Sequence, residues 1–255
     1  MTAAPALDAL VTAFPKDRTP LPPRFSEIYA QHYSENRAGK STAASAAQKL
    51  EQWMHRQVAA DVRDGQAKAT LELGAGNLNQ LPFEPDTAPY DIVEPFVELF
   101  EGSPRRARVR DIYADIADIP HDRRYARITS VAALEHICDL PVVLARSARL
   151  LEPQGSFRAA IPSEGGFLWK LGWSMTTGLE FRLRHGLDYG ILMAHEHVND
   201  ARQIEALVSG LFEQVSVRSF GVGRQLSLYR FIEASGPRLD VAADWEARFS
   251  RAAAA

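Results

Sequence analysis

From residue 69 onward the hydrophobic residues change rhythm, and that change constrains the fold more than any other feature of the chain. Before it, Leu50, Trp53, Met54, Val58 and Val62 recur at helical spacing, with Lys49, Gln52, Arg56 and Arg63 on other faces. After it come short apolar runs at 69–73, 89–93, 107–112, 125–131 and 155–161, separated by helical patterns. One helix follows Asp139, a residue type that caps helices. It carries Pro141 in its first turn and an apolar stripe of Leu140, Val143, Leu144, Ala148 and Leu151. A last helix follows Asp200, where Gln203 completes a capping box and Ile204, Leu207, Val208 and Leu211 face inward. Two further runs, 212–220 and 225–233, joined by "GVG", predict an antiparallel hairpin. Strands alternating with helices predict an α/β fold, a doubly wound seven-stranded sheet that is mainly parallel and covered on both faces. Its ligand belongs beyond the carboxyl ends of the strands, where strand order reverses.

The 255 residues, 46% of them hydrophobic, suffice for one substantial core. A net charge of −3 argues against a general nucleic-acid binder, which needs a basic surface. Cys138 is the single cysteine, so an internal disulfide is excluded. It is expected as a small buried apolar residue. The N-terminal residues lack a basic and apolar signal pattern, and no uncharged run approaches the roughly 20 residues of a membrane span. The expectation is a cytoplasmic protein without a transmembrane segment. Residues 1–23 are Ala- and Pro-rich and predict a flexible arm, with "PLPP" blocking helix. Residues 24–68 predict N-terminal helices that pack on the core, the first around Phe25–Tyr33 before a polar break at "SENRAGKST". Residues 69–235 form the ligand-binding domain, with an insertion at 163–198, and 236–255 is a tail ending in "RAAAA".

The first strand runs into "ELGAGNLNQLPFEP". Gly74 and Gly76 let the backbone turn sharply and approach a ligand closely. A dinucleotide's pyrophosphate would also use a helix N-terminus and a third glycine. Here Leu78 and Asn79 fill the later positions, and Pro82 and Pro85 leave about one helical turn. The second strand ends at Glu94, 20 residues after Gly74, where an acid can accept hydrogen bonds from both ribose hydroxyls or stand as an exposed strand-end charge. After the third strand, "ADIADIP" offers Asp115 to an adenine amino group and Ile116 to the ring.

Taken together, "LELGAG", "IVEP", "ADIADIP", "YARITSVAALEHICDLPVVLARSARLLEPQGSFRAAIP" and "HEHVNDARQIEALVSGLFEQVSV" resemble class I S-adenosylmethionine-dependent methyltransferases of the small-molecule, type 11-like group. The resemblance spans roughly residues 69–233. It implies a Rossmann-like sheet and an S-adenosylmethionine cofactor. The strand-end Glu72, Gly74, Ala75 and Gly76 would lie near its methionine part, Glu94 at the ribose, Asp115 and Ile116 at the adenine, and Val131, Ala132 and Ala133 along the other side. Such a cofactor has no phosphates, which accounts for a glycine turn without a long helix behind it. The departures are Leu78 at the third glycine position, the short first helix, and Ala126 where many relatives carry an acid.

The implied activity is methyl transfer to an oxygen, less readily a nitrogen, of a small-molecule acceptor, with a sugar or glycan precursor suggested by the likeness. Positioning two reactants supplies roughly 7–11 kcal/mol of a barrier, so few strongly catalytic groups are needed. A hydroxyl acceptor must still lose a proton, and Glu135, His136, His195, Glu196 and His197 are the candidates for that step. Alternate residues of an extended segment share a face, so His195 and His197 also permit a metal reading, but no sequence cluster joins them and no metal is expected. The insertion carries Phe167, Trp169, Trp173, Phe181 and Tyr189, with Arg182, Arg184 and His185 nearby. It suits an acceptor pocket or lid, a helical subdomain or homodimer contact, or an interfacial helix. Tyr33, Arg37 or Lys40 could close over the cofactor. Two other functions compete: a non-catalytic, methyltransferase-like partner subunit, and an NAD-binding protein, which the missing third glycine disfavours.

Overall fold

The computed structural model describes residues 4–26, 28, 45–62, 64–175, 177–223 and 226–253. Seven strands form one sheet: β1 (Thr70–Leu73), β2 (Tyr90–Val93), β3 (Ile112–Tyr113), β4 (Tyr125–Val131), β5 (Leu151–Pro162), β6 (Phe212–Val222) and β7 (Leu226–Pro237). Their order is β3-β2-β1-β4-β5-β7-β6. All pairs are parallel except those of β7, which runs antiparallel to both β5 and β6. Strand order therefore reverses between β1 and β4, and the ends of those two strands define the ligand edge.

One face is apolar. The helices α1 (Ala4–Thr12), α3 (Leu140–Leu150), α7 (Ala201–Leu211) and α8 (Leu239–Ala253) share a core with Leu71, Leu73, Ile128, Phe157, Ala159 and Ile161. The period of two along β5 decides the sides: Phe157, Ala159 and Ile161 enter this core, while Ala160 meets the second face. There α2 (Ser45–Val58) places Met54 and Val58 against Ala160 and Phe231. Two arginines from the sheet cap the end of α2. Arg127 Nη2 and Arg158 Nε donate to the Val58 carbonyl at 3.0 and 2.8 Å, and Arg158 Nη2 donates to the Gln57 carbonyl at 2.9 Å. Cations suit the negative end of a helix dipole. Asp61 sits 3.1 Å from the Nε of each arginine, and Glu84 pairs with Arg127 at 2.6 Å, so the buried charges are matched.

Several expectations need correction. Residues 1–23 are not a helix-free arm: Ala4–Thr12 is helical, and Val11 and Phe14 enter the core. The tail at 236–255 is largely helix, because Ala242, Trp245 and Phe249 recur on one face and pack on the core. The third strand is only Ile112–Tyr113. Pro104 and the Ser103 cap instead start a 3-10 turn at Pro104–Arg108. Asp139 occupies the expected cap position but its side chain caps nothing, whereas Asp200 and Gln203 form the full capping box. Cys138 is half-buried. Of the expected Phe25–Tyr33 helix, residues 25, 26 and 28 are described and helical, and helix begins at residue 23. Tyr33, Arg37 and Lys40 lie outside the described residues.

Candidate functional site

The β1 edge is a backbone cradle. Gly74 and Gly76 have φ of +69° and +48°, a region glycine enters without steric penalty. A Cβ on Gly74 would lie 2.4 Å from the Ala133 Cβ, so the ends of β1 and β4 touch there only because residue 74 lacks a side chain. A Cβ on Gly76 would meet nothing within 4 Å, so that backbone is open to approach. Leu78 stands at φ +59°, a glycine-like conformation held by a fully buried side chain among Leu81, Ile92 and Phe100. The third glycine of the pattern is missing by residue type but present by backbone shape. Between β1 and β2, where every residue is described, the only helical piece is the 3-10 turn Leu81–Phe83.

Glu94 ties the β2 end to this cradle. Its carboxylate accepts from the Gly76 amide at 2.8 Å and the Phe96 amide at 3.1 Å, and the residue is 5% exposed. Glu72 lies behind the cradle, where burial lifts its carboxyl to about 8 despite a 2.8 Å hydrogen bond donated by the Tyr90 hydroxyl. Asp115 is exposed and caps a 3-10 turn by accepting from the Ala117 amide at 2.8 Å. Ile116 next to it is 3% exposed and belongs to the main core. Val131 ends β4, and Ala132 follows at φ +49°, a strained value for a residue with a Cβ.

A second cluster begins three residues further on. Leu134–His136 forms a 3-10 turn that buries Glu135 and half-exposes His136. His136 Nε2 lies 3.8 Å from Glu135 Oε1, and its Nδ1 donates to the Glu196 carbonyl at 2.9 Å. A carbonyl only accepts, so Nδ1 carries the proton and the neutral ring keeps its lone pair on Nε2. The His197 ring stands edge-on to His136, centroids 4.8 Å apart, and His197 Nδ1 is 2.8 Å from Glu164 Oε2. Glu164 also accepts from the Trp169 indole. Burial raises the Glu135 carboxyl, and its Oε2 finds no hydrogen-bond partner.

His195 departs from this cluster. The extended reading of "HEHVN" does not hold, because α6 (Tyr189–Glu196) is helical through His195, and positions two apart on a helix face different ways. His195 Nδ1 therefore reaches the Thr19 carbonyl at 2.7 Å.

Sequence reasoning missed the groups that hold the cluster together. Asn199 Nδ2 donates to the carbonyls of Leu134 and Ile137 at 2.9 and 2.7 Å. Arg18 donates to the carbonyls of His136, His195 and Glu196 at 2.7, 3.0 and 3.1 Å. Lys16 Nζ reaches the Val198 carbonyl and Gln203 Oε1, both at 2.7 Å. A segment expected to be a loose arm thus clips the β4 loop to the entry of α7. Only the polar character of Asn199 beside a cap residue hinted at this.

The insertion comprises α4 (Phe167–Met175), α5 (Thr177–His185) and α6. Phe181 is 3% exposed and makes a satellite core with Phe25 and Leu192, flanked by Tyr189. Phe167 is 65% exposed. Trp169 is the aromatic tied to the histidines, through Glu164. The Trp173 side chain lies outside the described residues. No described helix is long and apolar enough to cross a membrane.

No protein-family model matches the chain, and no curated protein matches its sequence. Solved structures do share its fold. The plantazolicin methyltransferase BpumL, solved with a monoazolic desmethylPZN analog and SAH, aligns at a TM-score of 0.58 and 11% identity, covering 92% of this chain and 100% of its own. An O-methyltransferase family protein from Burkholderia thailandensis aligns at 0.55 and 15%, covering 92% of this chain and 68% of its own. The 1,6-didemethyltoxoflavin-N1-methyltransferase of the same organism, solved with bound 1,6-didemethyltoxoflavin and S-adenosylhomocysteine, aligns at 0.50 and 15%, covering 87% of this chain and 93% of its own. The fold is the Rossmann-like α/β fold of these methyltransferases.

Proposed function

We propose that the chain is an S-adenosylmethionine-dependent methyltransferase acting on a small-molecule acceptor, with an oxygen as the preferred target. One observation carries this reading: the Gly74–Leu78 cradle keeps all three glycine-like conformations beside Glu94, with no pyrophosphate-facing helix behind it. The shared fold, seen with bound S-adenosylhomocysteine in two of the aligned structures, supports it. When bound, the cofactor supplies a methyl group on a sulfonium. Gly74, Ala75 and Gly76 would hold its amino-acid portion, with Glu72 behind them. Glu94 would accept from the ribose hydroxyls while keeping its amide bonds to the cradle. Asp115 and Ile116 would flank the adenine, and Val131 and Ala132 would line the cofactor's other side.

His136 carries the acceptor chemistry in this proposal. Its Nε2 lone pair sits one turn beyond the Ala133–Gly74 contact and can take a hydroxyl proton, with Glu135 stabilising the resulting imidazolium. Such a base contributes roughly 10²–10⁴-fold. His195 is at most a support, since its ring is bonded to the Thr19 carbonyl. Sugar hydroxyls are the first acceptors to try. A cytoplasmic setting and a homodimer formed through residues 163–198 complete the proposal, the latter checked by light scattering.

The test is a thermal-shift comparison. S-adenosylmethionine or S-adenosylhomocysteine should raise the melting temperature, whereas NAD should leave it unchanged; a shift with NAD alone sinks the proposal. Comparing metabolites with and without active protein should then reveal an acceptor that gains one CH2. Glu94→Ala removes charge-assisted hydrogen bonds worth about 1.5–3 kcal/mol each, so cofactor affinity should fall at least about tenfold. Calorimetry showing unchanged affinity would remove Glu94 from the site.

A further inference from the structure

We infer that Glu135, His136 and His197 form a binding site for a first-row divalent transition-metal ion. Each residue offers a ligand atom, and these atoms all lie within 4.8 Å of one another. Donors bound to a common ion at about 2.0–2.2 Å sit about 3–3.5 Å apart, so the three side chains close by about 1 Å on binding.

Two independent features make this more than proximity. Both imidazoles are already set as ligands. His136 Nδ1–H is engaged by the Glu196 carbonyl at 2.9 Å and His197 Nδ1–H by the Glu164 carboxylate at 2.8 Å, so in the neutral form of each ring Nε2 is the nitrogen left for a metal ion. A metal-bound histidine is typically oriented in this way, its second ring nitrogen donating to a carbonyl or carboxylate. The other feature is Glu135 itself. It is 2% exposed, and its Oε2 is buried with no hydrogen-bond donor. A buried carboxylate oxygen without a partner is costly, and a cation supplies what the protein does not.

The donor set selects the ion. Two imidazoles and one carboxylate favour zinc, iron, cobalt or nickel over magnesium or calcium, which prefer all-oxygen sites. Three protein ligands leave positions open for an exogenous oxygen. Arg18, which bonds the carbonyls of His136, His195 and Glu196, adds a positive charge nearby, and Glu135, Glu164 and Glu196 outnumber it. Ion binding does not depend on methyl transfer. The consequence for catalysis does rest on the proposed function: an ion here would occupy the His136 lone pair, so His136 could accept the hydroxyl proton only in the metal-free protein.

The experiment uses the full chain, stripped with a chelator and titrated with cobalt(II) by visible absorption and with zinc(II) by calorimetry. One equivalent should bind, with visible bands of imidazole-ligated cobalt, and magnesium should not compete. His136→Ala and His197→Ala should each abolish the bands, and Glu164→Ala should weaken affinity about 10–100-fold by removing the acceptor that orients the His197 ring. His195→Ala should change nothing. Melting curves and circular dichroism establish that each variant is folded. No binding by the folded wild type, or binding that survives both histidine changes in folded variants, overturns the site. The stripped protein is also tested for a melting shift with S-adenosylhomocysteine. A shift without metal binding removes the metal site alone, and metal binding without a shift removes the methyltransferase reading alone.

Discussion

The cradle at the end of β1 and the histidine cluster after β4 lie on either side of the close approach of Gly74 to Ala133, yet they are built by different physics. The cradle is short-range. Five consecutive residues, Gly74–Leu78, set its backbone, and Glu94 locks it from the next strand. The cluster is long-range. His136 and His197 are 61 residues apart in the chain, and Arg18 reaches both loops from the N-terminal segment. A local motif resists change through steric exclusion, whereas an assembled cluster resists it through hydrogen bonds to loop carbonyls. Mutations should separate the two.

The largest effect is expected at Gly74. An alanine there must adopt a left-handed conformation at about 1–2 kcal/mol. It must also displace Ala133, and overpacking adds about 1–3 kcal/mol. Gly74→Ala should therefore lose about 2–5 kcal/mol in denaturant unfolding, together with cofactor binding. Gly76→Ala carries only the conformational part, because its Cβ meets nothing. Equal losses for the two would show that the Gly74–Ala133 contact does not couple the regions.

Next comes pH. The Glu72 carboxyl is raised by burial from 4.5 to about 8, so the folded protein holds a proton there that the unfolded chain releases. Stability is then present below about pH 4.5 and declines as pH rises toward 8, by up to a few kcal/mol. Glu72→Gln should remove that decline while still accepting from Tyr90. A slope that persists in the variant would point to Glu135, whose carboxyl burial raises in the same direction.

On the other side of the contact, Asn199→Ala strands the carbonyls of Leu134 and Ile137. About 1–3 kcal/mol of stability should be lost. Turnover should fall as the His136 turn loosens, with affinity for S-adenosylhomocysteine near normal. A parallel loss of that affinity would mean that the regions are one unit. The smallest effect is expected for His195→Ala, within about 0.5 kcal/mol, as for ordinary surface changes.

The sequence by itself determined the alternating architecture, the hairpin, the capped last helix and the glycine cradle. Each of these depends on residues within a few positions of one another: the period of two in β5, the Asp200–Gln203 box, the pair Gly74 and Gly76. The helix in 4–12 and the helix at the C-terminus were written in apolar spacing but masked by alanine-rich composition. Tertiary structure alone decided the rest. Leu78 could be recognised as a glycine substitute only once its side chain was seen anchored in a core that pays for φ +59°. Glu135, His136, His197 and Glu164 could be recognised as a group only once the insertion had folded back onto the β4 loop. Propensity and capping act over one turn of chain, so they are legible in order along it. Convergence of distant loops depends on which faces pack, and no spacing in the sequence encodes it.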